Sequence, residues 1–185
     1  MTNLDITTDR LCLKILNENY ADIVASFLKK NKEFFEPYEA AKRPIYYTHL
    51  YQKNIVDQEY KASINKLYLR YYCFLKDDPY SIIGTVSFGN ITPYPFCTCN
   101  IGYKFDKDYT GYGYAKEALT AAIQVAFPYL NMHRINAYIM ENNKPSIKLI
   151  EGLGFKYEGT CEKNICIQNK WESRSEEHTS ELQSP

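Results

Sequence analysis

Several features are missing from this chain, and each absence narrows its possible roles. No apolar run approaches the length of a membrane span. Residues 1–5, Met-Thr-Asn-Leu-Asp, lack a basic segment leading into an apolar one, so no signal peptide is expected. Neither charge is in excess, with 22 Lys+Arg against 22 Asp+Glu. The basic footprint of a nucleic-acid binder is therefore absent, and neither nucleic acid nor membrane is expected as a partner. Low hydrophobicity is lacking too: 45% hydrophobic and 24% charged residues exclude disorder for the body of the chain. No Cys-x-x-Cys pair occurs, so Cys97 and Cys99 read as structural thiols and no metal site is expected. Outside a secretory setting, all six cysteines are expected as reduced thiols. What remains is 185 residues, enough for one domain with a real core. A cytoplasmic enzyme or binding domain is the expectation.

The last residues read differently from the rest. Residues 174–185, Arg-Ser-Glu-Glu-His-Thr-Ser-Glu-Leu-Gln-Ser-Pro, are polar and without periodicity. They resemble the in-frame translation of a common sequencing-library adapter. Residues 173–185 are accordingly expected to be a non-native, disordered tail, with the native C-terminus missing.

Alternating residues predict an opening strand over 11–16, followed by a helical stripe of Tyr20, Ile23, Val24, Phe27 and Leu28. A short turn breaks at Pro37, and a weaker helix runs from 48 to 61. Strands are predicted at 67–75 and 81–88, joined by the Asp77-Asp78-Pro79 turn, and at 97–105. Two strand-loop-helix units follow. In the first, a helix over 115–127 is ended by Pro128; in the second, the strand 135–140 leads to a helix over 145–153, with Gly154 just past its end. Strands early and βα units late predict a single α/β (α+β) domain.

Between the strand and the helix of the first unit lies Thr110-Gly111-Tyr112-Gly113-Tyr114-Ala115. Glycines there let backbone N–H groups converge without Cβ obstruction, and a helix start adds unpaired amides and a positive dipole. Such a turn suits a phosphate or diphosphate, although a glycine turn feeding an ordinary helix has the same spelling. The second unit opens with Asn143-Lys144-Pro145-Ser146: Asn143 is a natural N-cap, and Ser146 either bonds local backbone or points its hydroxyl into the space between the two strands.

These segments together carry a resemblance. Residues 101–119, Ile-Gly-Tyr-Lys-Phe-Asp-Lys-Asp-Tyr-Thr-Gly-Tyr-Gly-Tyr-Ala-Lys-Glu-Ala-Leu, resemble the acetyl-CoA-binding segment of the GNAT N-acetyltransferase superfamily. His133-Arg134-Ile135, Asn143 through Ser146, and Leu153-Gly154-Phe155 match the second motif of the RimJ/RimL-type branch, which contains the ribosomal-protein-alanine N-acetyltransferases. Thr8-Asp9-Arg10-Leu11 is similar to its opening strand and Asn169-Lys170-Trp171-Glu172 to its final hairpin, so the likeness covers residues 7–172.

The resemblance implies a GNAT-like domain over 7–172, with a mixed, mostly antiparallel sheet, a splayed parallel strand pair and helices on both faces. It implies that the family's final strand, which pairs between the second splayed strand and the strand after Gly154, is missing. It implies acetyl-CoA as co-substrate: backbone of Tyr103, Lys104 and Phe105 pairing with the pantetheine amides, and amides across Thr110, Gly111, Tyr112, Gly113, Tyr114 and Ala115 cradling the diphosphate. Asn143 and Ser146 would adjoin the pantetheine arm, with Ser146 as the acid that protonates the leaving thiolate. The acceptor would be a primary amine, a protein N-terminal α-amine or a small amine, and the chain a monomer or homodimer. Phe34, Phe35, Tyr38, Tyr46 and Tyr47 fall where the family builds its acceptor wall. The branch often carries Glu before Ile-Gly-Tyr; here stands Asn100, leaving Glu36 and Glu141 as unranked candidates for the base. The rival reading is a GNAT-like module that binds CoA without turnover.

Overall fold

A computed structural model describes residues 4–180. The opening strands are β1 (Ile6–Thr7) and β2 (Leu11–Lys14), followed by helices α1 (Ala21–Lys30), α2 (Lys32–Phe35) and α3 (His49–Ile64). Strands β3 (Leu69–Leu75), β4 (Asp78–Thr92) and β5 (Thr98–Phe105) come next. They lead into α4 (Tyr114–Leu130), β6 (Arg134–Met140), α5 (Lys144–Glu151), β7 (Lys156–Ile167) and β8 (Lys170–Ser180).

All eight strands form one sheet, in the order β1-β2-β3-β4-β5-β6-β8-β7. Every neighbouring pair is antiparallel except β5 and β6. The period-2 pattern of β3 shows why the sheet carries helices on both faces. Leu69, Tyr71 and Cys73 point into the core shared with α4 and α5, built around Leu119, Ala122, Ile135 and Ile150. Tyr72 and Phe74 point the other way, into a second core with Val24, Phe27 and Leu28 of α1 and Val56 of α3. No helix among the described residues is long and apolar enough to cross a membrane.

Two expectations are corrected. Helix α4 does not stop at Pro128 but runs to Leu130. Proline removes a single N–H close to the helix end, and Asn131 closes the helix in a left-handed conformation (φ 57°), its N–H reaching the Phe127 and Pro128 carbonyls. The larger correction concerns the C-terminus. Residues 173–180 are not disordered, and the place of the final strand is not left open. Strand β8 fills it, in register with β6 from Arg174↔Met140 to Ser180↔Arg134 and with β7 on its other side. An edge strand exposes a row of unpaired backbone groups, and main-chain pairing on both sides of β8 satisfies them whatever the side chains are. Residues 181–185 lie outside the described residues.

The side chains of β8 fit that interior place poorly. Ser175 and Glu177 are buried, and Glu177 Oε2 has no hydrogen-bond partner among the described residues. Burial pushes the Glu177 carboxyl above its ordinary range; repulsion from Glu151 and Glu176 adds to the rise, and the Ser175 hydroxyl opposes it.

Candidate active site

The site begins where a ladder stops. β5 and β6 are paired in register from Thr98↔Arg134 to Ile101↔Ala137, and no further. Beyond that point β5 stays pinned to β4 as far as Phe105↔Gly84, and β6 stays pinned to β8 as far as Met140↔Arg174. Each strand follows its outer partner, so the two diverge. The edge of Gly102–Phe105 that faces β6 then has no strand partner, and it lines a cleft of about 550 Å³. Main-chain groups without a strand partner in such a cleft suit an extended ligand with amides of its own.

At one end the cleft opens on the glycine turn. Gly111 (φ 83°) and Gly113 (φ 82°) adopt left-handed conformations that cost a side-chain-bearing residue about 1–2 kcal/mol each. Gly113 is also the N-cap of α4, whose first amides have no helical partners. Thr110, Gly111, Gly113, Tyr114 and Ala115 all line the cleft. Tyr112 does not; it is exposed and its ring stacks on Tyr114, with centroids 6.0 Å apart.

The approach to this turn is anchored on α1. Asp106, buried just past the end of β5, pairs with Lys30 at 2.8 Å and accepts from the Asn31 side-chain amide at 3.1 Å and the Asp108 N–H at 2.9 Å. Asn31 in turn accepts the Lys107 N–H at 3.0 Å. Burial alone would raise the Asp106 pKa, but Lys30 and the amide donors outweigh it and hold the carboxyl below its ordinary value. The same pairing, chiefly the Asp106 hydrogen bond, pushes Lys30 up to about 12.

The other wall is the start of α5. Asn143 caps it, accepting the Ser146 N–H at 3.3 Å, and both residues line the cleft. Tyr103 of β5 reaches across: its hydroxyl donates to the Ser146 carbonyl at 3.1 Å. Burial raises the Tyr103 phenol well above its ordinary value. The Ser146 side chain also hydrogen-bonds that phenol and opposes the rise.

On the opposite face of β5, the expected acceptor wall is divided. Phe34, Phe35 and Tyr38 line the cleft, whereas Tyr46 and Tyr47 pack against the second core. Glu36 pairs with Lys32 at 3.6 Å and Glu141 accepts the Thr160 hydroxyl at 3.0 Å; neither lines the cleft. The carboxylate that does is Glu39, which sequence reasoning did not single out. It pairs at 2.6 Å with Lys104, whose ammonium lies 5.0 Å from the Phe35 ring centroid. Burial pulls the Lys104 ammonium below its ordinary pKa, and Glu39 opposes that pull. Sixty-five residues separate the two partners, so no local spacing announces the pair.

The Acetyltransferase (GNAT) domain model matches residues 10–156. The chain belongs to the GNAT acetyltransferase family. It is an acetyl-CoA-dependent N-acetyltransferase. The [Ribosomal protein uS5]-alanine N-acetyltransferase of Escherichia coli (strain K12) is 31% identical to it over 170 residues, which cover 90% of this chain and 85% of that protein. Among solved structures, ribosomal-protein-S5-alanine acetyltransferase from Vibrio fischeri superposes with a TM-score of 0.92 at 26% identity, covering 98% of this chain and 100% of that one. Mycobacterium smegmatis RimJ, solved in complex with CoA-disulfide, has the same fold, with a TM-score of 0.86 at 20% identity over 95% of this acetyltransferase and 84% of that chain.

Proposed function

We propose that this acetyltransferase moves the acetyl group of acetyl-CoA to the α-amine of a polypeptide N-terminus, by direct attack in a ternary complex. The observation that carries the reading is the end of the β5–β6 ladder at Ile101↔Ala137, beside a cleft that runs from Gly111 and Gly113 to Asn143 and Ser146. Main-chain groups of Tyr103 to Phe105 would take the pantetheine amides, and the amides at the start of α4 the diphosphate. When bound, acetyl-CoA supplies the thioester. The neutral amine forms the new C–N bond at the thioester carbon while an N–H donor at the splay holds the oxygen. The C–S bond then breaks and the sulfur takes a proton from the Ser146 hydroxyl directly or through water, while the amine nitrogen passes its surplus proton to water, from which the Ser146 hydroxyl is restored. Tyr103 is less suited as the acid, because its hydroxyl proton is already donated to the Ser146 carbonyl.

The α-amine is favoured over a lysine side chain on two grounds. Its pKa of about 7.7–8.0, against about 10.4 for lysine, leaves far more of it neutral at pH 7. The Escherichia coli relative is named as an N-acetyltransferase of a ribosomal-protein alanine, a residue whose side chain carries no amine and whose acylable nitrogen is therefore the α-amine.

A thiol-release assay with acetyl-CoA tests the reading. Peptides with a free N-terminal alanine or serine are expected to release CoA, and the same peptides blocked at the N-terminus but carrying lysine are not. CoA binding without release for any amine would favour a non-catalytic module. Ser146→Ala is expected to lower kcat at least about 100-fold, the usual contribution of a positioned acid, with CoA affinity unchanged. An unchanged kcat would remove Ser146 from the mechanism.

A further inference from the structure

The diphosphate turn is held from outside the βα unit that contains it. Arg10 lies in the bend between β1 and β2, 102 residues before Tyr112, and its Nη1 donates to the Tyr112 carbonyl at 3.0 Å. Its Nε donates to Glu117 Oε2 at 2.7 Å, and its backbone N–H donates to Glu117 Oε1 at 2.9 Å. The Thr8 hydroxyl donates to the same Oε1 at 2.6 Å. The guanidinium lies over Tyr114, 4.5 Å from the ring centroid, and its Nη2 is 3.5 Å from where a Cβ on Gly113 would stand.

A planar trans peptide points its C=O and the following N–H in opposite directions. Holding the Tyr112 carbonyl toward Arg10 therefore turns the Gly113 N–H away from it. Glu117 serves as the anchor. As an acid in the first turn of α4 it would repel an anion there, but its charge is engaged by Thr8 and Arg10. Only a planar fork can hold the carboxylate and the carbonyl together while lying flat on Tyr114; a lysine ammonium cannot do all three.

We propose that Arg10 is a positioning residue for the CoA diphosphate, aiming the Gly113 amide into the cradle from the opening strand. This rests on the acetyl-CoA reading above. Arg10 is half exposed, so its substitution leaves the fold standing.

The test uses the full chain and two donors. In calorimetric titration with CoA, Arg10→Gln is expected to weaken binding about tenfold, and Arg10→Lys by less. With S-acetylpantetheine, which keeps the thioester and arm but lacks the diphosphate, Arg10→Gln should match the parent protein in turnover. An unchanged CoA dissociation constant would overturn the proposal. So would an equal loss with both donors, which would mean that Arg10 supports the cleft as a whole. A parent protein that binds CoA but acetylates nothing would sink the transfer reading, while a tenfold weaker CoA titration for Arg10→Gln would still support the role of Arg10.

Discussion

Gly113→Val is expected to raise the KM for acetyl-CoA by one to two powers of ten while kcat at saturating donor changes little. At φ 82° a β-branched residue is strained by about 1–3 kcal/mol, and the turn relieves that strain by swinging its peptide units out of the conformation that presents N–H groups to an anion. Each 1.4 kcal/mol diverted in this way is about a factor of ten in affinity. The added Cβ would also stand 3.5 Å from Arg10 Nη2, in ordinary contact, so the loss comes from backbone conformation and crowding of the anion rather than from a clash with the protein. Gly111→Val, at φ 83° with open space around it, should behave alike. Gly154 provides the control. It has the same handedness (φ 87°) and nothing within 4 Å of the place a Cβ would take, but it sits in the turn after α5, outside the cleft lining. Gly154→Val should lower the melting temperature without moving KM. Equal KM changes for all three variants would show that the turn at 111–113 has no special relation to the donor.

Glu177→Gln should stabilise the protein at neutral pH, and the gain should vanish in acid. A buried carboxylate without a partner for Oε2 costs about 1–3 kcal/mol, which for a chain of this size amounts to several degrees in melting temperature. Because burial raises this pKa in the folded state, the native protein holds a proton that the unfolded chain releases near about pH 4.3. Between that pH and the folded value, stability falls as pH rises; below it both states are protonated and the penalty disappears. Glutamine imitates the protonated acid, so the two proteins should melt together near about pH 4 and separate progressively toward pH 7. Glu177→Leu should be more stable still across the range, since it removes the polar atoms altogether. A melting difference that ignores pH would locate the cost of Glu177 somewhere other than its charge.

The tail that contains Glu177 also shows where composition misleads. Residues 173–180 carry a run of polar side chains that would not pack by themselves, and composition alone predicts a loose tail. They are ordered because β6 and β7 leave a gap one strand wide, and main-chain hydrogen bonding fills such a gap with little regard to side chains. The mismatch survives as a buried carboxylate whose Oε2 has no hydrogen-bond partner among the described residues. Pro128 misleads in the opposite sense: a residue that usually ends a helix is carried inside one when only its last turn is affected.

Local chemistry alone determined the order of strands and helices from β2 to β7, the glycine turn before α4, and the Asn143 cap with Ser146 behind it, because each depends on residues no more than a few positions apart. The tertiary structure decided what comes from far along the chain: Glu39 rather than Glu36 or Glu141 in the cleft, Asp106 anchored by Lys30 and Asn31, and Arg10 gripping the turn at Tyr112. Such partners meet only after the sheet has assembled, and a hydrogen bond across a hundred residues leaves no periodicity to read. The cleft itself is of the same kind. It exists because β5 and β6 each follow a different outer neighbour, which is a property of strand order and not of either strand.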